Sequence, residues 1–181
     1  DEEHRFGVKD KEAVLLKNPS VDFLALSATP IPRTLQLALS GARSFSLIQT
    51  PPLERKPIIT SVSSFSKLLI KRALVREISR GGQVFFVDNS VQNLIKHFNF
   101  FSKELPSLSF GLAYGSLSPS ELLKTMRDFV SGSISVLFST SIIESGIDIA
   151  ATNTIIINNA HRFGFAQLYQ LRGRVGRSSV Q

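Results

Sequence analysis

Cysteine and tryptophan are absent from these 181 residues, and methionine occurs once. Without cysteine there is no disulfide and no thiolate metal site, which agrees with a reducing, cytoplasmic setting. No apolar run approaches the roughly 20 residues that a membrane-spanning helix needs, and no secretory leader is recognisable. The three histidines, His4, His97 and His161, are too far apart in sequence to suggest a shared metal. Also missing is any Gly-Lys-Ser/Thr loop, whose backbone N–H groups and lysine cradle nucleotide phosphates. The first residue is Asp1, not methionine, and a cluster of carboxylates, Asp1-Glu2-Glu3, stands at that edge. The chain therefore reads as a fragment.

Hydrophobic residues make up 43% of the chain and charged residues 19%, the balance of a folded domain with a packed core. Phenylalanine supplies 14 residues and tyrosine 2, so the core is phenylalanine-rich. A net charge of +7 favours a polyanionic partner, because surface lysine and arginine release counterions from phosphate backbones.

Val21 to Ser27 reads as a buried strand, followed by a helix that begins at Pro32 and stops at Gly41, then a strand from Ser44 to Gln49. Three prolines between Thr50 and Pro57 exclude a central strand or helix interior, so 51–57 is expected to link two domains, 1–50 and 58–181. Beyond it the periodicity predicts strands near 58–63, 83–88, 109–113, 135–140 and 153–158. Helices are predicted near 67–80, 91–104, 118–131 and 165–172. Ile70, Leu74 and Ile78 mark one apolar helical face; Leu94, Phe98 and Phe101 mark a second; Leu122, Met126 and Phe129 mark a third. Alternating strands and helices imply an α/β fold with a parallel sheet covered on both faces, whose ligands bind at the carboxyl ends of strands.

Several segments carry groups suited to phosphate chemistry. Gln170-Leu-Arg-Gly-Arg-Val-Gly-Arg177 combines permanently charged, fork-shaped arginines with glycines that allow close backbone approach. Asp1 and Glu2 are the residue types that hold magnesium and orient water beside a nucleotide. Ser27-Ala28-Thr29 precedes Pro30 at a strand-to-helix junction, where hydroxyls and free N–H groups face a cleft or cap the helix. Ser139 and Thr140 end a strand with hydroxyls able to donate to phosphate; Glu144, Gly146 and Asp148 follow in the next loop. Tyr114-Gly115-Ser116 and Asp88-Asn89-Ser90 occupy similar strand ends and are weaker phosphate-contact candidates.

In this order the segments resemble motifs II to VI of superfamily 2 helicases and translocases. Asp-Glu-Glu-His-Arg-Phe-Gly-Val8, Ala-Thr-Pro-Ile-Pro-Arg-Thr-Leu35, Gly-Gly-Gln-Val84, Ile-Ile-Glu-Ser-Gly-Ile-Asp-Ile149 and the stretch from Arg162 to Arg177 are similar to a narrower branch. That branch contains the bacterial transcription-repair coupling factors and the RecG helicases, with the coupling-factor group the nearer in Asp1-Glu2-Glu3 and Asn153-Thr-Ile-Ile-Ile157. The resemblance implies part of one RecA-like (P-loop NTPase) domain followed by most of a second, clasping ATP and magnesium between them while moving along double-stranded DNA. It implies RNA polymerase and excision-repair proteins as partners through other domains, or, for a RecG-type motor, forked DNA. By the resemblance, Asp1 holds magnesium, Glu2 positions water, and Gly146, Asp148, Gln170, Arg174 and Arg177 lie at the nucleotide, the two arginines as finger candidates. Ser27, Ala28 and Thr29 couple nucleotide state to DNA, and Gly115 and Thr140 contact the DNA backbone. Tyr114 stands where the branch commonly has histidine, and Phe165 where it has leucine; the latter is expected to alter packing only. Because the phosphate loop is missing, the 181 residues alone are expected to hydrolyse no ATP. A non-catalytic nucleic-acid-binding module of the same fold is the alternative from another class.

Overall fold

The chain separates into two compact units, Asp1–Pro51 and Pro52–Gln181. The computed structural model describes residues 57–141 and 151–176, with isolated positions 13, 16, 17, 22, 24, 26, 46, 48 and 50 in the first unit. The expected elements of that first unit lie largely outside the described residues. Positions 22, 24, 26, 46 and 48 carry no strand pairing, and Leu24 and Ile48 are exposed, so the predicted strands are not borne out at these points. A strand needs a hydrogen-bonded neighbour, which none of these positions has among the described residues.

In the second unit the element order is α1 (Lys67–Ser79), β1 (Gln83–Val87), α2 (Val91–Glu104), β2 (Phe110–Ala113), α3 (Pro119–Val130), β3 (Val136–Ser139), β4 (Thr152–Ile157) and α4 (Phe165–Arg172). A short 3-10 turn, Ala160–Arg162, joins β4 to α4. The four strands form one parallel sheet in the order β2-β3-β1-β4. Every described element lies within two residues of its predicted span, with one exception. Residues 58–63 form no strand: Ile59 and Val62 are exposed, and no ladder hydrogen bond joins the segment to β4. Only Ile58 packs inward, against the core. Ile58, Ile59 and Val62 suit a strand, but β-branched residues cannot supply the missing neighbour.

Helix starts follow from local chemistry. The hydroxyls of Ser66 and Ser90 accept from the N–H groups of Leu69 and Asn93, each at 3.3 Å, and so cap α1 and α2. At α3, Ser118 and Glu121 form a reciprocal capping box with Pro119 in the first turn.

The sheet alternates faces residue by residue, and two clusters result. Val84, Phe86, Val136 and Phe138 point to the face covered by α1 and α2, where Ile70, Leu74, Leu94 and Phe101 are buried. Phe86 and Phe138, cross-strand partners in register, stack with centroids 4.5 Å apart. On the other face Phe85, Val87, Ala113 and Leu137 meet Phe129 of α3 and Leu171 of α4. β1 and β3 are buried throughout, as central strands of a parallel sheet must be. Two side-chain ties join the sheet to its helices. Gln83 donates from Nε2 to the carbonyls of Phe129 (2.6 Å) and Ile134 (2.7 Å). Buried Glu77 accepts from the Thr154 hydroxyl and pairs with Arg80, joining α1 to β4. Among the described residues no helix is long and apolar enough to cross a membrane.

Candidate nucleotide and nucleic-acid site

All four strands run the same way, so Asp88, Tyr114, Thr140 and Asn158, the residues after β1 to β4, lie at one end of the sheet. That end is where parallel sheets bind ligands. The strand order divides it. β2 and β3 are neighbours on one side and bring Gly115 and Thr140 together, the Thr140 N–H donating to the Ala113 carbonyl at 3.2 Å. α4, which carries Gln170, follows β4 at the opposite edge.

On the β2–β3 side, Gly115 is exposed, and a Cβ built on it meets nothing within 4 Å. Neither local packing nor a left-handed φ demands glycine there. Thr140 is half-buried. Its neighbour Ser139 departs from expectation: its hydroxyl is buried and donates to the Thr140 carbonyl at 2.8 Å, so it is not available to phosphate. Tyr114 is half-buried and packs on the α1–α2 face, with its carbonyl accepting from Leu117.

On the β4 side the arginine segment is built on two anchors. Leu171 and Val175, four residues apart, are almost wholly buried in the core beside Phe163. Gln170 and Arg174, also four apart, fall on the adjoining face and are half-buried. The three arginines therefore differ in setting. Arg172 lies over the Tyr169 ring at 4.6 Å, Arg174 is held at the chain turn after α4, and Arg177 lies outside the described residues. Gly176 is required by the turn itself, with φ at +71°, and a Cβ there would sit 3.0 Å from Ile58 Cγ1. Its glycine is explained by conformation and packing rather than by ligand approach. Phe165 is 76% exposed and stacks edge-on against Tyr169.

Between the two sides stands a polar node. Asp88 is fully buried. Its Oδ1 accepts from the Ser90 N–H at 2.8 Å; its Oδ2 accepts from Asn158 Nδ2 at 2.6 Å and Asn159 Nδ2 at 3.2 Å. With both oxygens so occupied, Asp88 is not a phosphate contact, and the Ser90 hydroxyl is taken by the α2 cap. Asn89 Nδ2 donates to the Arg162 carbonyl at 3.1 Å. Nearby, His97 sits between the rings of Phe65, Phe86 and Phe101 and is bonded through Nδ1 to the Asn93 carbonyl. Burial pushes its pKa down, with Lys96 and Lys67 adding to that and Asp88 opposing it. The signal for the node was present as two amide-rich stretches, Asp88-Asn89-Ser90 and Asn158-Asn159, but only strand adjacency joins them.

Asp1, Glu2, Ser27, Ala28, Thr29, Gly146 and Asp148 lie outside the described residues. Among the described residues no cluster of His, Asp or Glu could hold a metal ion.

Comparison with known proteins accords with this geometry. Residues 65–179 match the helicase conserved C-terminal domain. The chain is 50% identical over 178 residues to a transcription-repair-coupling factor of Myxococcus xanthus, covering 98% of this chain and 15% of that protein. It is 51% identical over 181 residues to a chloroplastic ATP-dependent DNA helicase of Arabidopsis thaliana, covering all of this chain and 22% of that protein. Among solved structures, RecG bound to a three-way DNA junction matches 87% of this chain and 21% of that one, at 40% identity and a TM-score of 0.69. The chain thus spans about a fifth or less of the length of these relatives.

Proposed function

The chain belongs to the helicase conserved C-terminal domain family, with the α/β, RecA-like fold of that family, and from this membership we propose that residues 58–181 are the second motor half of an ATP-driven double-stranded DNA translocase. Residues 1–50 contribute the end of the first half, and 51–57 the link between them. The observation that carries the proposal is the arginine segment. Its apolar residues, Leu171 and Val175, are sunk into the core, leaving Gln170 and Arg174 on an adjoining face beyond the β4 edge. A rigidly anchored, permanently charged fork is what stabilisation of a transferring phosphoryl group needs.

The residue types of the resemblance would suit ATP with magnesium, the nucleotide bringing the phosphoryl group and the cation neutralising its charge. Asp1 would hold the magnesium and Glu2 would orient water. Gln170, Arg174 and Arg177 would approach the phosphates from the second half, with Gly146 and Asp148 beside the nucleotide. On the DNA side, exposed Gly115 and half-buried Thr140 would lie against the phosphate backbone, and Ser27, Ala28 and Thr29 would couple the two sites. Identity of 50% with a coupling factor, against 40% with the RecG structure, favours a role in transcription-coupled repair, releasing stalled RNA polymerase, over fork remodelling. A cytoplasmic setting follows from that role.

The test uses the longer polypeptide that includes these residues together with a phosphate-cradling loop. Duplex DNA is expected to stimulate its ATP hydrolysis, and the 181 residues alone are expected to hydrolyse none. Turnover by the 181 residues would contradict the split site. A longer polypeptide that binds duplex DNA but hydrolyses no ATP would instead identify a non-catalytic binding module.

A further inference from the structure

We infer that Asp88 is a positioning residue, whose buried carboxylate fixes the connection from β4 to α4 and thereby sets where Gln170 and Arg174 stand. This rests on the nucleotide-site reading given above. Asp88 follows β1, a central strand, and is wholly buried. Among the described residues no lysine, arginine or histidine forms an ion pair with it. Its two oxygens accept from three donors: the Ser90 N–H, Asn158 Nδ2 and Asn159 Nδ2. A buried carboxylate held this way fixes its neighbours, because each lost donor leaves a charge without compensation.

The two asparagines are the points that need fixing. Asn158 continues β4 by donating its N–H to the Val87 carbonyl at 2.8 Å. Asn159 takes φ 51° and ψ 46°, the left-handed region, and turns the chain out of the strand into the 3-10 turn. Its side-chain bond to Asp88 holds that conformation. Asn89, beside Asp88, then holds the far end of the turn through the Arg162 carbonyl. Buried Phe163 follows, and Gly164 starts α4, with its N–H received by Gln167 Oε1 at 3.0 Å. From Asp88 to Gln170 and Arg174 there is one continuous run of fixed contacts.

The isosteric change Asp88→Asn tests this directly. All three partners of Asp88 are donors, and an amide offers one acceptor oxygen and one donor nitrogen, so the three contacts survive only if Asn158 and Asn159 both turn their own side-chain oxygens toward position 88. In the longer polypeptide with its phosphate loop, Asp88→Asn is expected to lower kcat for DNA-stimulated ATP hydrolysis about ten-fold or more, with KM for ATP little changed. The paired exchange Asp88→Asn with Asn158→Asp reverses donor and acceptor between those two positions but not at Asn159, and is expected to recover part of kcat. Recovery separates positioning from a general loss of folding, which thermal melting of each variant also monitors. A wild-type kcat in Asp88→Asn overturns the inference, and so does a paired exchange no better than the single change. If the wild-type polypeptide itself hydrolyses no ATP, the nucleotide-site reading fails and this inference falls with it.

Discussion

Gly115 and Gly176 carry the same residue type for opposite reasons. At Gly176 a left-handed φ of +71° and a Cβ position 3.0 Å from Ile58 Cγ1 make any side chain strained. Gly176→Ala is expected to destabilise the second unit by roughly 1–2 kcal/mol, read as a lowered melting temperature or denaturation midpoint. At Gly115 the Cβ position is open and the backbone ordinary. Gly115→Ala is expected to stay within about 0.5 kcal/mol of wild type in stability while weakening duplex-DNA binding; a large stability loss there would show a packing role that the open surroundings do not suggest. His97 supplies a pH dependence. Burial lowers its folded-state pKa, so the unfolded chain binds the proton more tightly and protonation favours unfolding. Stability is therefore expected to be undiminished above the unfolded value near 6.5 and to fall as pH drops from there toward the lowered folded value. His97→Phe should flatten that part of the profile in a pH series of chemical denaturations; an unchanged slope would assign it to other groups.

At the scale of elements, α4 and the turn after it join fold to chemistry, because Leu171 and Val175 are buried while Gln170 and Arg174 beside them are half-buried. Leu171→Ala removes a fully buried side chain and is expected to cost about 2–5 kcal/mol, lowering the unfolding midpoint. The elements themselves were legible in the sequence: the apolar periods of α1, α2 and α3 are local signals, and the structure follows them closely. The misses are where a neighbour decides. Residues 58–63 carry β-branched residues like a strand yet form no strand among the described residues, and Ser139, a phosphate candidate by position, turns its hydroxyl to the Thr140 carbonyl. Gln83 looked like part of a motif and proves to be a buried tie between β1 and the end of α3. Asp88 and Asn158 are seventy residues apart, and only the β1–β4 register makes them partners. Period and capping reveal elements; side-chain destinations across strands require the sheet order.

For the whole molecule, the sheet order separates the expected DNA contacts after β2 and β3 from the arginines beyond β4, with the Asp88 node between them. A net charge of +7 accompanies this arrangement. Its central claim is that the segment from Gln170 to Arg177 completes a nucleotide site and is not simply one more basic surface for DNA. The measurement that separates these is DNA-stimulated ATP hydrolysis by the longer polypeptide, carried out with Arg174→Ala and Arg177→Ala alongside duplex-DNA binding over a salt series. Loss of a finger arginine is expected to lower turnover by about 10³ to 10⁵. Affinity for DNA and its salt dependence should stay close to wild type. Variants that hydrolyse ATP normally, but bind DNA more weakly with a shallower salt dependence, would contradict the account and assign these arginines to the DNA backbone.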